Sequence, residues 1–181
     1  MNKEIKLHLG CGKRFIPNFI HIDSLEFPHV DHVQDISNLE NFETESVDLI
    51  YACHVLEHFK RYEIESVLKE WSRVLKIGGT IRIAVPDFNS ICQIYNEQKK
   101  ISLIEGPVVG GQTDKYNFHY SIFDFDKLKK QLEETGFYKV ERYDWRKTSH
   151  SSIDDFSQAY IPHMDKENGK LISLNVQAEK Y

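Results

Sequence analysis

Apolar and polar residues alternate over Ile5-Lys6-Leu7-His8-Leu9 and stop at Gly10-Cys11-Gly12, the period-two pattern of a strand running into a tight turn. Phe19 to Ile22 predicts a second short strand ending at Asp23-Ser24, Val30 to Val33 a third ending near Asp35, and Val47 to Ala52 a fourth that emerges at Cys53-His54. Over residues 60–76 the period changes. Ile64, Val67, Leu68, Trp71, Val74 and Leu75 recur three and four apart, which predicts a helix with one apolar side, ended by Gly78-Gly79. Thr80 to Val85 predicts a fifth strand, stopping at Pro86-Asp87. Residues 88–122 are less regular: Ile91, Ile94 and Tyr95 indicate a short helix, and Gly106-Pro107 and Gly110-Gly111 punctuate the rest. A helix over 124–135, capped by Asp124 with Phe125, Leu128 and Leu132 inward, is followed by strands at Phe137 to Tyr143 and Leu171 to Ala178.

This order predicts one α/β domain over residues 1–181, with helices against a mainly parallel sheet. The first two links are short. A helical parallel crossover takes a dozen or more residues, and the segments after the first and second strands are shorter than that. The helices that would cover that part of the sheet are therefore reduced or replaced by loops. Apolar sheet surface left wet forfeits about 25 cal/mol per Å², so another element should cover it. Residues 88–122 are expected to fold across as a cover for an acceptor site or as an interface, or a second copy of the chain does so, making a homodimer.

Composition narrows the class. A hydrophobic fraction of 40% and a charged fraction of 28% are those of a globular protein, and no apolar run approaches the ~18 residues that cross a bilayer. The opening Met1-Asn2-Lys3-Glu4 does not read as an export signal, so a cytoplasmic location is expected. Cys11, Cys53 and Cys92 are odd in number and scattered, as free thiols in a reducing compartment would be. A net charge of -5 argues against a nucleic-acid partner, since neutralising phosphates takes a basic face.

The chemistry-bearing residues cluster at the predicted strand ends. Gly10 and Gly12 permit a tight turn and close passage of a ligand, although such a tripeptide is also an ordinary turn. Asp23 falls at the end of the next strand, where open α/β sheets place ligands and an acid can accept ribose hydroxyls. Asp35 is similarly placed, as a group near an adenine or as an Asx-turn acid. Phe15 stands where the dinucleotide fingerprint has its third glycine, which disfavours a nicotinamide cofactor, and no Walker A sequence is present.

Leu9-Gly10-Cys11-Gly12, Phe19 to Asp23, Val47 to His58 and Arg73 to Asp87 together resemble a class I S-adenosylmethionine-dependent methyltransferase. The likeness extends over about residues 5–144 and is nearest to a compact bacterial group often associated with cell-surface glycan pathways. It implies a Rossmann-like fold with a seven-stranded, mainly parallel sheet whose last strand, here Leu171 to Ala178, is antiparallel. It also implies S-adenosyl-L-methionine as cofactor, with Gly10, Cys11 and Gly12 beside its methionyl part, Asp23 at the ribose, Asp35 near the adenine and His54 facing the cleft. The implied activity is methyl transfer to a small-molecule acceptor, a sugar hydroxyl among the candidates; the competing class is a non-catalytic binding or assembly protein that keeps the scaffold.

A hydroxyl acceptor must lose a proton, and histidine is suited to take it. His54 and His119 are the candidates, with Tyr120 orienting the base or packing on the acceptor. His54, Glu57 and His58 lie close in sequence but lack a third converging ligand, so no metal is expected. Phe118, Tyr120, Phe123 and Phe125 either close an acceptor pocket or supply core area, and Trp71 and Trp145 default to packing. His150, Asp154 and Asp155 read as a solvated loop or as a polar rim of the cleft.

Overall fold

A computed structural model describes residues 4–181; Met1-Asn2-Lys3, on which part of the export reading rests, lies outside the described residues. Strands β1 (Lys6–Leu9), β2 (Ile20–Asp23), β3 (His32–Val33) and β4 (Val47–Cys53) are followed by helix α1 (Ile64–Val74) and strand β5 (Leu75–Pro86). Next come helices α2 (Phe88–Gln98), α3 (Glu105–Val109) and α4 (Phe125–Glu134), then β6 (Phe137–Arg142), a two-stranded hairpin β7 (Tyr160–Ile161) and β8 (Lys170–Leu171), and β9 (Ser173–Lys180).

The main sheet has seven strands in the order β3-β2-β1-β4-β5-β9-β6. Strands β1 to β5 pair in parallel, and β9 runs antiparallel between β5 and β6. This is the α/β, Rossmann-like class I methyltransferase fold, with the closing strand reversed as expected.

One side of the sheet is a conventional core. Leu7, Leu9, Ile50, Ile81, Ile83 and Val176 point toward the apolar stripe of α1 and toward Leu128 and Leu132 of α4, all buried. Trp71 on α1 is fully buried, and its indole N–H donates to the Ile36 carbonyl at 2.9 Å. Asp124 caps α4 by accepting from the Lys127 amide at 2.8 Å, as its sequence position predicts.

Helix α1 ends at Val74, four residues before the glycine pair expected to end it. Leu75 already pairs with Val47, and the ladder then jumps to Thr80 opposite Leu49, so residues 76–79 form a bulge within β5. Gly78 takes a φ of +75° there, and Gly79 is crowded by the carbonyls of Lys76 and Asp48. The glycines serve the bulge and not a helix cap.

The opposite side has no crossover helix over β1 and β2, as the short links predict. It presents Lys6, His8, His21, Tyr51, Arg82 and Asn175, a set of polar and aromatic groups needing hydrogen bonds more than hydrophobic cover. Its cover comes from two loops of the same chain. Ile16 and Phe19 of the β1–β2 loop pack there with Tyr51, Cys53 and Ile153, and the stretch from Trp145 to Gln158 is tied down by hydrogen bonds. The Tyr51 hydroxyl donates to Asp155 at 2.6 Å, and the Asn175 amide donates to the Ser157 carbonyl at 2.9 Å.

Residues 88–122 are more regular than their sequence implies, because α2 is an 11-residue helix capped by Asp87. Ile91 and Ile94 pack with Leu103, Ile104, Val108 and Ile172 in a small separate core, which with the β7–β8 hairpin flanks the ends of β4 and β5. No helix among the described residues is long and apolar enough to cross a membrane.

Candidate active site

The carboxyl ends of β1, β2 and β4 open into a cleft of about 800 Å³. Gly10 (φ +61°) and Gly12 (φ +52°) both have left-handed backbones. A Cβ at Gly10 would collide with Val55, whereas one at Gly12 would meet no atom within 4 Å, so the second glycine leaves open room at the cleft wall. Asp23 is almost buried and joins the two strand ends: Oδ2 accepts from the Gly12 amide at 2.7 Å and Oδ1 from the Leu25 amide at 2.8 Å. A carboxylate offers about four lone-pair directions, so two remain for hydroxyls of a ligand.

Asp35 also lines the cleft, beside Ile36 and Leu25. Its Oδ1 accepts from the Ser37 amide at 2.8 Å, so it forms the Asx turn and faces the cleft at once. Cys11 is the member of the expected cofactor set whose side chain the structure turns away. Its thiol is buried, 3.9 Å from the His29 ring, and burial pushes its pKa up to about 12. Only its main chain remains available to a cofactor. The residues at this end fit S-adenosylmethionine: space beside Gly12, an acid with open lone pairs and a neighbouring apolar wall.

At the other end the segment Asn117 to Ser121 lies across the turn after β4. The Tyr120 and Ser121 amides donate to the Glu57 carbonyl at 2.8 and 3.1 Å, and the Ser121 hydroxyl donates to the Phe59 carbonyl at 2.8 Å. These bonds bring His119 beside His58, with ring centroids 4.9 Å apart. His54 sits on the turn itself in a left-handed conformation (φ +52°), costly for a residue with a side chain and typical of functional turns. Both its ring nitrogens are engaged, Nδ1 at 3.3 Å from Glu57 Oε1 and Nε2 at 3.1 Å from Ser173 Oγ. His54 lines the cleft with a polar neighbour at each ring nitrogen. His119 gives Nδ1 to the Pro107 carbonyl at 3.0 Å, and burial holds its pKa below the usual histidine value, keeping the ring neutral. Tyr120 is half exposed at the cleft edge.

The residue that sequence reading missed is Glu57. Its side chain is completely buried among His54, His58 and His119, and these histidines hold its carboxyl below the usual range despite the opposing effect of burial. Its signal was an acid directly after the apolar pair Val55-Leu56 and two residues before Phe59, a poor position for a solvated charge. His150 is a buried anchor of the loop, whereas Asp154 and the buried Asp155 line the cleft. Phe123 is core, while Tyr120 stays on the cleft wall.

Residues 12–83 match the family model of a methyltransferase domain. Among solved structures, an S-adenosylmethionine-dependent methyltransferase from Archaeoglobus fulgidus is similar at 16% identity with a TM-score of 0.60, over 98% of this chain and 86% of that one. A Thermotoga maritima S-adenosylmethionine-dependent methyltransferase, described as a possible histamine N-methyltransferase, gives 16% and 0.59 over 100% and 84%. The Burkholderia thailandensis 1,6-didemethyltoxoflavin-N1-methyltransferase, solved with 1,6-didemethyltoxoflavin and S-adenosylhomocysteine, gives 15% and 0.59 over 97% and 70%. No curated protein matches the sequence. The matched segment resembles a methyltransferase domain over part of the chain, and these S-adenosylmethionine-dependent enzymes share the chain's fold.

Proposed function

We propose that this chain methylates an oxygen of a small-molecule acceptor, with a sugar hydroxyl as the favoured class. The supporting observation is the cleft, which runs from Gly12 and Asp23 to His58, His119 and Tyr120, so that a donor at one end and an acceptor at the other share one enclosure. S-adenosylmethionine supplies an electrophilic methyl group on a positively charged sulfur. On our reading Asp23 accepts hydroxyls of the donor's ribose, Gly10 and Gly12 let the main chain approach its amino-acid part, and Asp35 lies near its adenine. His119 and His58 receive the acceptor oxygen. Tyr116, Tyr120 and Phe156 line the cleft with rings 43%, 50% and 61% exposed. Exposed aromatic faces beside polar groups suit a ring with one apolar face and several hydroxyls, which favours a sugar. Residues 88–122 help enclose this end. A glycan-building pathway in the cytoplasm agrees with the resemblance in sequence.

Calorimetry with S-adenosylhomocysteine tests the donor end: the wild-type chain should bind it and Asp23→Ala should bind at least about tenfold more weakly, a loss of roughly 1.4 kcal/mol. Unchanged affinity removes Asp23 from the site. Mass analysis of sugar acceptors incubated with donor and protein should show a product heavier by one CH₂. A folded chain that binds neither methyl donor nor its demethylated product is a scaffold protein instead.

A further inference from the structure

Glu57 poses a problem that methyl transfer alone does not solve. Both of its carboxylate oxygens are buried without a hydrogen-bond donor in good geometry, the nearest groups being His54 Nδ1 at 3.3 Å and His119 Nε2 at 3.9 Å from Oε1. An ionised carboxylate so enclosed is costly unless a positive group meets it. His54 is the closest such group, and His58 and His119 do not supply one through their tautomers. His58 Nδ1 lies 3.0 Å from the Phe118 carbonyl, and His119 Nδ1 lies 3.0 Å from the Pro107 carbonyl. A carbonyl only accepts, so each Nδ1 carries the proton and each Nε2 is left with a bare lone pair. Metal-binding histidines are fixed in this way, with the second ring nitrogen donating to a main-chain carbonyl.

One ligand atom from each of Glu57, His58 and His119 can be chosen so that all three lie within 4.8 Å of one another. We propose that these three residues form a binding site for a divalent transition-metal ion of the zinc type, with an open coordination position toward the cleft. Two imidazole nitrogens and one carboxylate form a donor set used at catalytic zinc sites, and they disfavour magnesium or calcium, which take oxygen ligands. Metal–ligand bonds of about 2.0–2.2 Å place the ligand atoms of a tetrahedron roughly 3.5 Å apart, so the side chains close in by about an ångström on the ion. His54 stays outside the ligand set; its Nδ1 steadies the carboxylate while Ser173 holds Nε2. The third ligand absent from the local sequence around His54-Glu57-His58 is His119, carried in by the hydrogen bonds of Tyr120 and Ser121 to Glu57.

The site's role rests on the methyl-transfer reading. An acceptor hydroxyl in the open position is held by its oxygen and gives up its proton to water more easily, since a bound divalent ion lowers the pKa of an oxygen ligand strongly. His58 and His119 are then ligands and not bases.

Metal-stripped protein is dialysed against Zn²⁺, and Co²⁺ is titrated in parallel to read its visible absorption. Binding of one ion per wild-type chain is expected, with His58→Ala, His119→Ala and the near-isosteric Glu57→Gln each weakening it by at least about a hundredfold, since loss of outer-shell partners alone costs roughly 10–100-fold. Circular dichroism and binding of S-adenosylhomocysteine check that each variant is folded. A folded wild-type chain that binds S-adenosylhomocysteine and takes up no Zn²⁺ overturns the proposal, as does equal uptake by the variants. Uptake that depends on the three residues in a chain that fails to bind S-adenosylhomocysteine upholds the metal site and removes the methyl-transfer reading.

Discussion

Two groups of histidines occupy different settings in this fold. His8, His21, His29 and His150 lie on the loop-covered side of the sheet and pack as aromatic rings: His8 is 5.5 Å from His21, His21 is 5.4 Å from His29, and His150 is 4.4 Å from the Tyr51 ring. Two acids adjoin this group: Asp31, which is mostly exposed, and Asp155, which is buried but accepts hydrogen bonds from Tyr51 and Ser157. His54, His58 and His119 instead surround a carboxylate with no exposure. The same side chain fills space where its neighbours are rings and handles charge where a carboxylate is sealed in with it. What separates the groups is whether the buried acid has donors: Asp155 accepts from Tyr51 and Ser157, while neither Glu57 oxygen has a hydrogen-bond partner.

That division can be broken most sharply by turnover. His119→Ala, which removes a group that holds the acceptor oxygen's site together, should lower kcat by roughly a hundredfold or more and leave donor affinity unchanged; His8→Leu should leave kcat near wild type. Comparable losses in the two variants would erase the distinction.

Acid stability should follow the packed group. Burial lowers the His8 pKa from 6.5 to about 3, and also lowers those of His21 and His150. The unfolded chain therefore binds more protons than the native one between those limits. Stability is fully present above pH 6.5 and is lost as pH falls toward 3, by on the order of a few kcal/mol for His8. Urea melts of wild type and His8→Leu from pH 7 to pH 4 should converge, and parallel curves would show that His8 does not carry the effect.

The smallest effect concerns the loop that encloses the packed group. Tyr51→Phe removes the buried bond to Asp155 and should cost about 1–3 kcal/mol, read by denaturant unfolding at neutral pH. A loss well below that range would mean that other contacts anchor residues 145–158.

Much of the architecture was legible locally. The alternation Lys6-Leu7-His8-Leu9 marked a strand with one apolar side, and it also contained the answer to the missing cover, since a strand buried under helices on both sides reads as a continuous apolar run. The expectation of an uncovered apolar face treated the sheet as two-sided when half of it was polar. Asp23 and the glycine turn were legible because strand-end chemistry follows from the strand pattern. The ends of α1 and β5 were not, because a bulge and a helix cap ask for the same glycines.

By itself the sequence determined the order of most elements and set the glycine turn and Asp23 at successive strand ends, for these follow from periodicity and from residues near one another in the chain, while the reversed closing strand was implied by the family resemblance. Tertiary structure alone decided that Glu57 would lose all contact with water, that His54 would have both nitrogens occupied, and that His119 would arrive beside His58. The physical reason is that burial and convergence depend on which distant segments pack together, and here main-chain hydrogen bonds from Tyr120 and Ser121 draw a later loop over the Glu57 carboxylate.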